Sequence, residues 1–253
     1  MCGIVGYIGG RRAVDFLLEG LTKLEYRGYD SAGVSMISPR GDLNVYKATG
    51  KVSALEERCA GEDTTGTIGI AHTRWATHGE PNAVNAHPHL SQSGNLSLVH
   101  NGIIENYKPL RAMLEGEGYT FCSETDTEVL VQLIEYTQKK GKCDLFTAVG
   151  RALKNVVGAY AIAILDKNDP TQIIAARKQS PLVVGIGDGE FFLGSDASPI
   201  VEYTDQVLYL EDGNIAVLRA GEELKVVDVL DRMLHLDVQT VDLNLGQLEK
   251  GGY

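Results

Sequence analysis

The sequence predicts an α+β fold, with two mainly antiparallel sheets packed face to face and helices on the outside. Three observations lead there: the number of apolar strand-like runs, their order around a block of three consecutive helical stretches, and the absence of any repeat or low-complexity linker in 253 residues. Strands in this count and order bury their apolar faces against one another, and helices cover what remains. A single domain over residues 1–253 is expected.

Residues 3–8 form an apolar strand closed by Gly9-Gly10. From Arg11 to Leu24 the apolar positions Val14, Leu17, Leu18, Leu21 and Leu24 keep helical spacing. "AGVSMIS", "PRGD" and "LNVYKA" read as strand, turn and strand. "VSALEERCA" is a short helix, with Ser53 and Glu56 in capping-box relation. "TIGIAHT" returns to strand, and residues 74–88, with two prolines and no period, read as a loop. "NLSLVHN" is a strand that His100-Asn101-Gly102 ends in a turn. Helices follow over about residues 104–117, within "SETDTEVLVQLIEYTQKK", and over "DLFTAVGRALKNV". The remainder is β: "AYAIAILD", "TQIIAAR", "PLVVGIG", "EFFLGS", "QVLYLE", "NIAVLR" and "ELKVVDV".

Composition narrows the function. The chain is 43% hydrophobic and 23% charged, as in a globular protein with a full core, and its formal net charge is −11. Binding to nucleic acid or to an anionic membrane needs a basic face, so neither partner is expected. No run approaches the ~18 apolar residues of a membrane-spanning helix, and no signal peptide opens the chain. Cys2, Cys59, Cys122 and Cys143 lack metal or redox spacing; they fit a reducing cytoplasm.

Cys2 raises the chemical question. Removal of Met1 would leave the thiol and a free α-amine on one residue. An amine of pKa ~7.7–8.0 is partly neutral at pH 7 and can take the thiol proton without a separate base. The plain alternative is a buried cysteine at a strand start.

Five phrases bear on the choice: "CGIVGY", "EYRGYDSAG" (25–33), "AHTRWATHG" (71–79), "HNGIIEN" (100–106) and "SETDTE" (123–128). In order and spacing they resemble the glutaminase domain of the glutamine–fructose-6-phosphate transaminase (glucosamine-6-phosphate synthase) family. That family belongs to the N-terminal-nucleophile, class II glutamine amidotransferases. The resemblance implies the four-layer αββα sandwich of the N-terminal-nucleophile hydrolases. It also implies a glutamine amidohydrolase that needs no metal or organic cofactor.

Site roles follow from the same resemblance. Cys2 matches the nucleophile, and Asn101 with the Gly102 N–H matches the oxyanion hole. Arg74 matches the arginine that forks onto the glutamine α-carboxylate. Thr77 and His78 match residues completing that pocket, His87 matches another pocket residue, and Asp126 matches the acceptor of the α-ammonium. Arg27 matches an electrostatic and positioning residue near the thiol, and Trp75 a gate on a loop over the pocket. Read locally, Arg74 is equally a surface ion pair, Asp126 a helix-start carboxylate, Asn101-Gly102 a turn and Arg27 a helix-end cation. His72, His89 and His100 read as structural hydrogen-bonders, His235 is unplaced, and Glu124 and Glu128 have no assigned role. A metal hydrolase built on the histidines between 72 and 100 is a rival, but their spacing does not match a metal motif. A binding module that has lost catalysis is another.

The expected cycle is thiolate attack on the glutamine amide, a γ-glutamyl thioester, release of ammonia, and hydrolysis to glutamate. The family's sugar-phosphate isomerase domains have no counterpart here, so an isolated glutaminase half is expected. Dimerisation through those missing domains is left open.

Overall fold

The structure, a computed structural model, describes residues 2–75, 80–228, 232–234 and 236–241. The chain begins with β1 (Gly3–Ile8), α1 (Ala13–Leu24) and a single 3-10 turn over Glu25–Arg27. Then come β2 (Ser31–Ile37), β3 (Leu43–Thr49), α2 (Val52–Cys59), β4 (Ile68–Arg74), β5 (His89–Leu90) and β6 (Leu96–Ile104). The helical block is α3 (Tyr107–Gly116), α4 (Asp126–Gly141) and α5 (Leu145–Leu153). After it run β7 (Gly158–Asp166), β8 (Asp169–Lys178), β9 (Val183–Ile186) and β10 (Phe191–Gly194). The last strands are β11 (Gln206–Tyr209), β12 (Asn214–Leu218), β13 (Lys225–Asp228) and β14 (Gln239–Thr240).

Among the described residues these strands make two antiparallel sheets. The larger runs β14-β11-β9-β10-β1-β4-β2-β3 and the smaller β13-β12-β8-β7-β6-β5. Alternation along the strands gives each sheet two apolar faces, so three apolar layers result. Ile4, Ile8, Ile68 and Ile70 of the large sheet meet Val99, Ala161, Ala163 and Ile173 of the small one between the sheets. Val14, Leu17, Leu21 and Leu24 of α1 close the outer face of the large sheet. Leu130, Leu133 and Ile134 of α4, with Ala148 and Val149 of α5, close the outer face of the small sheet. This is the predicted sandwich, helices outside and sheets within. No helix among the described residues is long and apolar enough to cross a membrane.

Two local expectations are corrected. The Ser53–Glu56 capping box does not form: α2 starts at Val52 with no side-chain bond from its cap residue Lys51, and the Glu25 carboxylate accepts from the Val52 N–H instead, at 2.8 Å. Asn101-Gly102 is not a turn. β6 continues to Ile104, with Asn101 opposite Ala161 and Gly102 opposite Tyr160, so the next helix begins at Tyr107 rather than Ile104. Helix α4 is buried along most of its first half: Thr127 through Glu135 are all buried. Its buried carboxylates and amide bond inward, Glu128 to the Ser123 N–H, Glu135 to Ser91 Oγ and Gln132 to the Gln92 N–H.

Candidate active site

The site lies where the layer between the sheets changes from hydrocarbon to polar groups. On β1 and β4 the even-numbered side chains face the small sheet, as Ile4, Ile68 and Ile70 show; on β6 the odd-numbered ones face back, as Val99 shows. Extending that alternation puts Cys2, His72 and Arg74 on one inner face and Asn101 on the other. The β1–β4 register, Gly3 opposite Thr73, brings Cys2 beside the end of β4.

Cys2 is held there by backbone. The Trp75 N–H donates to its Sγ at 3.3 Å, and the Asn101 side-chain N–H donates to its carbonyl at 3.0 Å. Burial raises the thiol pKa, against the opposing pull of the Trp75 N–H and the Arg74 charge. The folded environment therefore favours the protonated thiol. Gly28 explains how the Arg74–Trp75 peptide comes so near: a Cβ at Gly28 would lie 2.9 Å from both Arg74 C and Trp75 N.

The side of the site facing Cys2 is built from an uncovered strand edge. Strand β5 pairs with β6 only at Leu98 and Ser97, so farther along β6 the even-numbered backbone groups lose their strand partner. Such groups need partners when buried. The His100 N–H donates to His87 Nδ1 at 3.3 Å, its carbonyl accepts from His72 Nε2 at 3.1 Å, and the Ile104 N–H donates to Asp126 Oδ2 at 2.7 Å. Gly102 lies between these two residues and borders the same cleft. That cleft is lined by Cys2, Arg74, Trp75, His87, Gly102 and Asp126, among others.

The four described histidines of this region, His72, His87, His89 and His100, make hydrogen-bonding and packing contacts. His72 and His87 stack at 4.1 Å, and His89 meets His87 edge-on at 4.9 Å. His89 Nε2 bonds Thr125 Oγ1, and His100 Nδ1 bonds Thr127 Oγ1. Burial pushes His72 down to about 3 and holds His87, His89 and His100 below their ordinary value. Folded, these rings stay neutral where unfolded ones would protonate. Their contribution to stability is therefore complete above pH ~6.5 and lost as the pH falls below it, each ring contributing about 1.4 kcal/mol per pH unit. Urea unfolding at pH 7.5 and pH 5.5 should show a loss of at least about 3 kcal/mol; equal stabilities would contradict these buried neutral rings.

Arg74 is buried and donates to the Glu80 carbonyl at 3.3 Å. Asp126 opens α4, where Thr125 Oγ1 caps the helix by accepting from the Glu128 N–H. Arg27 pairs with Asp196, whose carboxylate also accepts from Tyr26 Oη. With Cys2, Asn101 and Gly102, Arg27 lines a second cavity of about 210 Å³. Trp75 is 45% exposed and edge-on to Tyr29.

A family model described as "Glutamine amidotransferase domain" matches residues 51–219. The chain belongs to that family. This amidotransferase domain is 65% identical over its whole length to a glutamine–fructose-6-phosphate aminotransferase (isomerizing) of Bacteroides thetaiotaomicron, covering 41% of it. The chain spans about two fifths of the length of the curated relatives it matches. Among solved structures it is similar to the glutamine phosphoribosylpyrophosphate amidotransferase of B. subtilis, with a TM-score of 0.75 and 27% identity over 90% of this chain and 49% of that one. A structure described as the allosteric regulatory enzyme of purine biosynthesis gives a TM-score of 0.77 at 29% identity, over the same shares. The N-terminal-nucleophile sandwich expected from the sequence is the fold of this amidotransferase domain.

Of the residues singled out in the sequence, Cys2, Arg27, Arg74, Trp75, His87, Asn101, Gly102 and Asp126 are gathered at this end of the sandwich. Thr77, His78 and His235 lie outside the described residues, as does Met1. Sequence reasoning missed Asp196, the partner of Arg27, which no local pattern links to it. It also gave no role to Glu128, which accepts from the Cys122 and Ser123 N–H groups and so shapes the turn before Asp126. His72 had a readable signal: two residues before Arg74 on a strand, it shares that side chain's face.

Proposed function

We propose that this amidotransferase domain hydrolyses the side-chain amide of L-glutamine through Cys2. The observation that carries the reading is that Cys2, Gly102, the buried Arg74 and the helix-start Asp126 line one cleft, with the Asn101 amide bonded to the Cys2 carbonyl. Glutamine docks with its α-carboxylate on Arg74 and its α-ammonium on Asp126, two opposite charges for two opposite charges. Thr77 and His78 complete the carboxylate pocket, and His87 borders it.

Once Met1 is removed, the Cys2 α-amine takes the thiol proton and the sulfur attacks the amide carbon. The negative charge forming on oxygen is met by Asn101 Nδ2 and the Gly102 N–H, fixed donors in a water-poor site. The protonated amine returns its proton to the leaving nitrogen; the C–N bond breaks, ammonia leaves and a γ-glutamyl thioester remains. Water then cleaves the thioester to glutamate and restores the thiol. Arg27, neutralised by Asp196, positions the Cys2 side of the second cavity, and Trp75 gates the cleft.

The 253 residues act as one glutaminase domain of a longer cytoplasmic protein. There the ammonia passes to fructose 6-phosphate bound by isomerase domains, which also carry any dimer contact. Support comes from the relatives named for that reaction and from the share of their length this chain spans.

The test is an assay of this chain with L-glutamine. Equal amounts of glutamate and ammonia are expected, with no glucosamine 6-phosphate when fructose 6-phosphate is added. Arg74→Lys should raise KM for glutamine about tenfold or more, because an ammonium cannot reproduce the two-pronged contact. Absence of glutamate would overturn the reading, and an unchanged KM would overturn the role of Arg74.

A further inference from the structure

We propose that His72 is a positioning residue that sets the orientation of the Asn101 amide in the oxyanion hole. The proposal rests on the oxyanion reading of Asn101 and goes beyond it. Asn101 reaches the site from the small sheet and must present its N–H₂ end, not its oxygen, to the developing charge. An amide can fit either way round, so something must choose.

The choice is made by a chain of fixed groups. The His100 carbonyl can only accept, and it lies 3.1 Å from His72 Nε2. His72 must therefore carry its proton on Nε2. The same N–H faces Asn101 Oδ1 at 2.9 Å, which only an oxygen can satisfy. Nδ2 then points the other way, where one of its hydrogens goes to the Cys2 carbonyl at 3.0 Å and the second is left for the oxyanion. A backbone carbonyl fixes a tautomer, and the tautomer fixes an amide.

The rest of the His72 environment suits this role and no proton-carrying one. Its ring is fully buried and stacked on His87 at an interplanar angle of 21°. Nδ1 is buried without a hydrogen-bond partner among the described residues, so no relay passes through the ring. The side chain also leaves the strand that carries Arg74, so β4 places the carboxylate anchor and the amide anchor together.

Steady-state glutaminase kinetics of the full chain test this with His72→Phe, His72→Gln, His72→Asn, Asn101→Ala and the His72→Phe/Asn101→Ala double variant. Phenylalanine keeps the ring and removes the donor. Glutamine carries an amide N–H at the reach of Nε2, whereas asparagine falls short of it. The expected result is a kcat lowered about 10- to 100-fold by His72→Phe, less than loss of the donor itself, with KM within about twofold. Glutamine should restore most of the rate and asparagine should not. In the Asn101→Ala background His72→Phe should cost no more than about a further twofold.

If Asn101→Ala is impaired while His72→Phe keeps the wild-type kcat, the inference is overturned and the oxyanion reading stands. A full His72→Phe loss persisting in the Asn101→Ala background overturns it equally. If Asn101→Ala itself is silent, the oxyanion reading falls and takes this role with it. Should the phenylalanine variant fail to fold, the glutamine–asparagine contrast decides: equal rates for the two overturn the proposal.

Discussion

Cys2→Ala is expected to abolish glutaminase activity, by about 10⁴-fold or more, while the folded protein still binds glutamine. In the proposed cycle the sulfur is the atom to which the γ-glutamyl group is transferred, and removing a covalent nucleophile leaves only the residual effect of binding and oxyanion donors. The structural cost is small, because the side chain is only partly buried and its neighbours Trp75 and Asn101 keep backbone and side-chain anchors of their own. Comparing kcat with calorimetric glutamine affinity separates the two effects. Retained affinity with no turnover is the expected pair; turnover within tenfold of the parent would mean that another group attacks the amide.

Gly102→Ala is expected to damage both chemistry and fold. The residue holds φ at +128°, a region costly for any side chain. A Cβ there would lie 2.1 Å from the Ala159 carbonyl oxygen, backbone of the central neighbouring strand, which cannot swing aside. The strain of forcing β6 away from β7 should lower stability by about 2 kcal/mol or more. The displaced N–H should lower kcat by about 10²- to 10³-fold. Urea midpoint and kcat measured on one preparation check both parts. A variant with the parent's kcat would show that the Gly102 N–H is not an oxyanion donor.

The layers were legible because alternation and helical spacing record burial directly. The Ile4, Ile70 and Val99 pattern even carries the orientation of Cys2, Arg74 and Asn101, since each merely continues its strand's inner face. What escaped has physical causes. Asn101-Gly102 reads locally as a turn, yet pairing with Ala161 and Tyr160, fixed by residues sixty positions away, keeps it extended. Ser53 and Glu56 have capping-box spacing, but Glu25 reaches the Val52 N–H first. His72 and His87 have no local motif because their partners are β6 backbone groups exposed by the shortness of β5. Asp196 meets Arg27 across 169 positions, a contact that only the assembled sheet creates.

The central claim is a freed Cys2 amino terminus acting as base to its own thiol. Intact-mass and peptide analysis of a fully active preparation, before and after inactivation by a glutamine-like electrophile, tests it most directly. A chain lighter by one methionine is predicted, with the added mass on the peptide that begins at Cys2. Full activity in molecules that retain Met1, or labelling at Cys59, Cys122 or Cys143, would contradict it.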